Sequence, residues 1–184
     1  MEDGYCVYHS TLDEDHPYPA DMRSILEERA RKGRSFDGFQ LPDAPLRRIN
    51  LTGADLSGVN LVGADLSLSQ LVKTNFRKAD LTNAFLFASN IQEADLEGSF
   101  LLGADLSEAD LFGASLRGAE AFGADLRRAN LAVGDLSEAD FSETNLSGAN
   151  VNGANFTGTK LDNATLEGVD LERAASEADL AGEE

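Results

Sequence analysis

The chain has no tryptophan, one cysteine, four prolines and two histidines in 184 residues, and only 15 lysines and arginines against 33 acids. Each shortage removes a class of explanation. A lone cysteine, Cys6, cannot close an internal disulfide. No apolar run reaches the roughly 18 residues that a membrane-spanning helix needs. No basic stretch followed by an apolar one opens the sequence, so neither insertion nor secretion is indicated and the cytoplasm is the expected compartment. The net charge of −18, with 23 acids against 8 bases in residues 51–184, disfavours direct binding to a phosphate backbone. Chemical motifs are also scarce: there is no G-x-S-x-G, no glycine-rich phosphate loop and no C-x-x-C, and both histidines lie in the first sixteen residues. Neither an enzyme nor a cofactor is expected. Cys6, His9 and His16 are weak candidates for a metal, because a structural zinc site needs four ligands at paired spacing and the chain has no second cysteine.

What the sequence has in abundance is a period. From Leu51 to Leu171 every fifth residue, here called i, is Leu, Phe, Ile or Val, with Ala121 as the one small exception. At i−2 stands a small residue, usually Ala, and at i−1 mostly Asp or Asn. On an α-helix five steps carry the chain about 140° past a full turn, which would scatter the leucines around the circumference. In extended chain, i−2 and i point one way and i−1 the other, which accounts for small inside, acid outside, large inside. The next small residue is three steps after i, so the chain has to turn at i+1 and i+2, where Ser-Gly, Thr-Gly and Thr-Asn pairs recur. Each pentapeptide is therefore one short side and one corner, and the repeats stack as a solenoid with a leucine interior.

The units Ala54-Asp55-Leu56, Ala64-Asp65-Leu66, Ala94-Asp95-Leu96, Ala104-Asp105-Leu106, Ala109-Asp110-Leu111, Ala124-Asp125-Leu126, Ala129-Asn130-Leu131 and Ala154-Asn155-Phe156 follow the motif A(D/N)Lxx. This pattern resembles the pentapeptide repeat family over two-thirds of the chain. The resemblance implies an all-β solenoid, a right-handed quadrilateral β-helix with four pentapeptides to a coil. Extending the register back to Phe36, Leu41 and Leu46 gives seven coils and, at about 4.8 Å per rung, a rod roughly 34 Å long. With four sides, residues twenty apart stack. One predicted core column is Leu46, Leu66, Leu86, Leu106, Leu126, Leu146 and Leu166; another places the small Ala121 beneath the large Phe141, which keeps interior density even.

The flanks complete the expected organisation: residues 1–20 as an irregular tail, 21–33 as a capping helix, 34–171 as the β-helix and 172–184 as a short helix or tail. In the helix, Asp21 is placed to cap the start and Gly33 to end it, with Met22, Ile25, Leu26 and the stem of Arg29 on one side, covering the open first coil. The C-terminal segment either covers the last coil or lets two such ends meet in a homodimer.

On the outside, the regular Asp residues at i−1 read as wall decoration and turn hydrogen bonding rather than acid–base chemistry. Around the column Leu56, Phe76, Leu96, Leu116 and Leu136 the outward charges alternate rung by rung, as Asp55, Arg77 with Lys78, Asp95 with Glu97, Arg117, and Asp135 with Glu138. The unusual feature is apolar: Leu68, Phe85, Phe87, Phe100, Leu102 and Phe122 occupy positions that should face water and gather around one edge of the middle coils. They are either a docking surface or a seat for the N-terminal tail with its Tyr5, Val7 and Tyr8. The expected function is a non-catalytic protein-interaction module or scaffold with an unidentified protein partner. The alternative is an acidic mimic of DNA that regulates a gyrase or topoisomerase, as the resemblance to gyrase-protecting members implies. The acidity also fits a protein kept soluble at high salt.

Overall fold

A computed structural model describes residue 18 and residues 20–174. Helix α1 spans Met22–Arg31. Asp21 stands at its N-cap position without a side-chain capping bond, contrary to the sequence expectation: its φ of −95° and ψ of 3° depart from the extended backbone that aims a capping carboxylate at the first free amides. Gly33 does end the helix, with φ +60° and its N–H donated to the carbonyl of Ala30 at 2.8 Å. Met22 and Leu26 are buried in one core with Phe36, Leu41 and Leu46, so α1 closes the first coil. Arg29 lies over the rings of Phe36 and Phe39, 5.6 and 4.7 Å from their centroids. Glu27 accepts the N–H of Asn50 at 2.9 Å, tying the helix to the wall.

The wall is a run of parallel bridges between residues twenty apart, from Gln40–Asn60 to Asn145–Thr165. Twenty residues are four pentapeptides, so each coil has four sides, named here after the first buried residue of each column as the Leu41, Leu46, Leu51 and Leu56 sides. Each bridge is a single residue, and among the described residues no continuous strand forms. The reason lies in the repeat length: a unit that turns at i+1 and i+2 leaves only i−1 with both its N–H and its carbonyl in rung bonds. Asp105 shows this, donating to Ala84 at 3.0 Å and accepting from Leu86 at 2.7 Å.

Counting amides explains the sequence motif. In the unit around Leu106, the N–H groups of Leu106 and Glu108 go to the next coil, to the carbonyls of Asp125 and Arg127. That of Ala109 closes the turn on Leu106, and that of Asp110 goes to Ser89 in the previous coil. The backbone leaves one N–H of five without a partner, that of Ser107 at i+1, and the carboxylate of Asp105 accepts it at 3.0 Å. The same turn recurs behind every Asp or Asn at i−1 from Asn50 to Asn155. The acid or amide is there to finish the corner.

The interior is closed by the i and i−2 columns. Leu66, Leu86, Leu106, Leu126, Phe141 and Leu146 are fully buried, as is Ala121 in the column beneath Phe141. Burial weakens toward the C-terminal end, where Phe156, Leu161 and Leu166 are partly exposed and Leu171 is 41% exposed. The bridges run from residue 40 to residue 165, and nothing described lies above the last rung. Of the expected C-terminal helix, the described residues hold the 3₁₀ turn Leu171–Arg173; residues 175–184 lie outside them.

Candidate docking surface

The six apolar positions singled out from the sequence spread over the Leu46 side and beyond. Phe85 sits at i−1 on that side, bridged between Asp65 and Asp105. Leu102 and Phe122 stack at the corner leading into the Leu46 side, and Phe87 and Leu68 stand at the corner leading out, where the N–H of Leu68 meets the carbonyl of Phe87 at 2.9 Å. Phe100 lies on the neighbouring Leu41 side, bridged between Asp80 and Glu120. The surface is thus one side with both its corners and part of the next side, broader than the single edge expected. Phe85 is 51% exposed and Phe100 39%. Phe112, also exposed, stands on a different corner, after Asp110.

Placing apolar groups here has local costs. With phenylalanine at 85 and 100 and glutamate at 120, no side chain reaches back to the corner amide, and the N–H groups of Phe87, Leu102 and Phe122 are without a partner among the described residues. Each forgone bond is worth about 0.5–1.5 kcal/mol. By contrast the N–H of Phe112 is held by Asp110 at 3.2 Å. Leu68 adds backbone strain, with φ +59° in the left-handed region that disfavours a branched side chain. Exposed aromatics and uncapped corners coincide on this surface, whereas the left-handed φ of Leu68 is shared by the i+2 corner residues of the other sides.

Charge elsewhere is mostly committed to neighbouring rungs. Arg77 bonds Asp95 at 3.2 Å and also Glu97, and these carboxylates raise its pKa further. Lys73 pairs with Glu93 at 3.2 Å and Arg128 with Glu108 at 3.5 Å. Arg127 grips Asp125 and holds its carboxyl below the ordinary range. On the Leu51 side the outward column is mostly amides, interrupted by the carboxylate of Asp110, with Asn90 donating to Gln70 at 3.4 Å, Asn130 to Asp110 at 2.9 Å and Asn150 to Asn130 at 3.0 Å. Among the described residues no group of His, Cys, Asp and Glu is arranged to hold a metal, and no helix is long and apolar enough to cross a membrane. Cys6, His9 and His16, with Tyr5, Val7 and Tyr8 of the tail, lie outside the described residues.

One feature of this surface was not picked out from the sequence. On the Leu41 side a groove of about 300 Å³ runs between Leu102 and Phe122 at one corner and Gly118 and Glu138 at the other, with Ala119 and Glu120 between them and Asp140 and Lys160 at its end. The signal was present in the columns twenty residues apart, where Gly98, Gly118 and Gly158 follow one another around Glu138 and leave that corner nearly bare.

These observations define a four-sided parallel solenoid built of five-residue units. The chain belongs to the pentapeptide repeat family: the family model for pentapeptide repeats matches in eight copies, over residues 46–86, 89–128 and 135–173. Among solved structures, the chain is similar to the pentapeptide repeat protein Rfr23 of the cyanobacterium Cyanothece 51142, at 30% identity over 63% of this chain and 90% of that one, with a TM-score of 0.51. It is also similar to QnrB1, a plasmid-mediated fluoroquinolone resistance protein, at 27% identity over 74% and 76% of the two chains and a TM-score of 0.38. A third similar structure is a thylakoid-lumen pentapeptide repeat protein of Arabidopsis thaliana, at 34% identity over 59% and 69% and a TM-score of 0.37. A comparison with curated proteins finds no match. Family membership makes the solenoid a right-handed β-helix.

Proposed function

We propose that this protein is a non-catalytic interaction module or scaffold of the pentapeptide repeat family, about seven coils long, that docks a protein partner on the surface formed by Leu68, Phe85, Phe87, Phe100, Leu102 and Phe122. The observation that carries this reading is the interruption of the corner pattern by aromatic residues: Phe85 and Phe100 stand where an Asp or Asn would hold the corner amide, and they leave aromatic surface in water. Stability alone favours Asp or Asn at both places, and a cluster of exposed aromatics is the usual chemistry of a protein contact. The tail of residues 1–17 fits this surface poorly, because it carries five acids and no lysine or arginine and would be laid among Asp65, Asp80, Asp105 and Glu120. The test is the double variant Phe85→Asp/Phe100→Asp. The expected result is an unchanged circular-dichroism spectrum with loss of the partner that wild-type protein crosslinks in its source cell; an unfolded variant, or an undiminished crosslink, rejects the reading.

The second reading is regulation of a gyrase or other topoisomerase by imitation of DNA. It is favoured by the net charge of −18 and by carboxylates such as Glu120 and Glu138 that no cation holds among the described residues. The ion pairs of Arg77 with Asp95 and Glu97 weigh against it, since they interrupt the acidic array that a mimic of the phosphate backbone needs. A supercoiling assay separates the two: inhibition or drug protection of gyrase by the purified protein supports mimicry, and no effect leaves the scaffold. In either reading the partly exposed C-terminal coil, with Phe156, Leu161 and Leu166, offers a second surface for a copy of the chain, and the cytoplasm is the compartment we propose.

A further inference from the structure

The groove on the Leu41 side has an asymmetry that specifies what it would hold. One wall is apolar, made by Leu102 and by Phe122, which is 46% exposed. The other wall and the floor are acidic. Glu138 leans over Gly158, where an added Cβ would lie 3.0 Å from its carboxylate oxygen, so the carboxylate is laid along the groove margin by the absence of a side chain on the next rung. Glu120 lies between the two walls, bridged to Phe100 and Asp140 in the column. The one cation at the groove, Lys160, is already committed to Asp140 at 3.2 Å. Neither Glu120 nor Glu138 has an ionic partner among the described residues. Because each rung amide on this side is already bonded to a neighbouring coil, a bound chain would be recognised through its side chains and not by strand addition.

We propose that this groove takes a basic peptide segment carrying apolar side chains, the apolar groups seated against Leu102 and Phe122 and the ammonium or guanidinium groups meeting Glu120 and Glu138. The inference rests on the interaction-module reading and specifies the partner's chemistry. The complementarity is of both kinds at once: an acidic segment would be repelled by two unpaired carboxylates, and a purely basic one would leave the apolar wall in water.

The experiment uses the full chain and fluorescein-labelled peptides of one length, with lysine alternating with leucine, lysine with serine, or glutamate with leucine, read by fluorescence anisotropy. The lysine–leucine peptide is expected to bind, to weaken as salt rises, and to be preferred over the other two by at least about tenfold, the change that 1.4 kcal/mol produces. Phe122→Ser and the pair Glu120→Gln/Glu138→Gln are each expected to weaken it by a similar factor with the circular-dichroism spectrum unchanged, while Phe112→Ser, on another corner, leaves it as it was. The inference is overturned if the lysine–serine peptide binds equally well, if no peptide binds, or if the groove variants act no more strongly than Phe112→Ser. Failure here leaves the module reading standing as long as Phe85→Asp/Phe100→Asp still abolishes the cellular crosslink; loss of that effect is what removes the module reading itself.

Discussion

Ser99 offers the sharpest check on the packing. It occupies the small i−2 position on the Leu41 side, stacked between Ala79 and Ala119, and is completely buried. Its hydroxyl has no hydrogen-bond partner, whereas buried hydroxyls in the same structural position elsewhere all find one. Ser89 donates to Leu86 at 2.6 Å and Thr144 to Phe141 at 2.7 Å, each within its own corner, while Thr74 donates to Leu51 at 2.8 Å in the previous coil. A buried polar atom left without a partner costs about 1–3 kcal/mol. Alanine is the residue both above and below in the column, so Ser99→Ala removes the orphaned oxygen without opening a cavity larger than one atom. The expected gain is at least about 1 kcal/mol, which for a chain of this size raises the melting temperature by roughly 2–4 °C. The matched variant Ser89→Ala discards a bond that is made and is expected to lose about 0.5–1.5 kcal/mol. Thermal melts followed by circular dichroism and by calorimetry measure both. A Ser99→Ala protein that melts at or below the wild type, or two variants shifting in the same direction, refutes the claim that satisfaction of the hydroxyl separates these positions.

Val133 holds φ +59° at a corner and is 60% exposed, so Val133→Gly relieves a left-handed β-branched residue while losing little packing, and is expected to stabilise the protein by about 1 kcal/mol in the same melts. Acid should act through Asp125, whose carboxyl Arg127 holds below the ordinary aspartate value. A depressed folded-state pKa stabilises above the unfolded value of about 3.9 and is lost as pH falls through the folded one. Asp125→Asn, which keeps the corner acceptor but not the charge, is therefore expected to melt lower than wild type at neutral pH and to converge with it in acid.

The buried half of the repeat was readable in advance because a period of five has one solution in extended chain, and the register runs through residues 51–171 without an insertion. The exposed half was readable in type and not in detail. Turn-forming residues were expected at i+1 and i+2, yet the left-handed i+2 position is filled by Arg48, Leu68, Lys73, Lys78, Glu93, Glu108 and Val133 as well as by glycine. The rung bonds on either side fix this conformation whatever the side chain, so the sequence carries only a weak mark of it. The cap of α1 failed for a related reason: Asp21 is a good capping residue by type, but its backbone does not adopt the extended conformation the cap needs. The groove beside Phe122 could have been found by stacking residues twenty apart, since Gly118, Glu138 and Gly158 form one column and Leu102 and Phe122 another.

The corner amide links this fold to its use. Four of the five N–H groups in a unit are bonded by backbone whatever the sequence, so selection for stability acts outside the core chiefly through the residue at i−1. Within the middle coils that residue departs from Asp or Asn at Gln70, Phe85, Phe100, Ser115 and Glu120. Gln70 still joins an amide ladder, accepting from Asn90. Phe85, Phe100 and Glu120 lie on two adjacent sides, and the corner residues they leave uncapped, Phe87, Leu102 and Phe122, are themselves large and apolar. Two independent departures from the repeat, one at i−1 and one at i+1, therefore fall on the same units. Gln70 and Ser115 depart on the other two sides and leave the corner N–H groups of Val72 and Arg117 without a partner among the described residues, but neither unit carries an exposed aromatic ring. The coincidence of both departures on one surface is what a docking site requires, since a partner must cover both the aromatic rings and the free amides beside them.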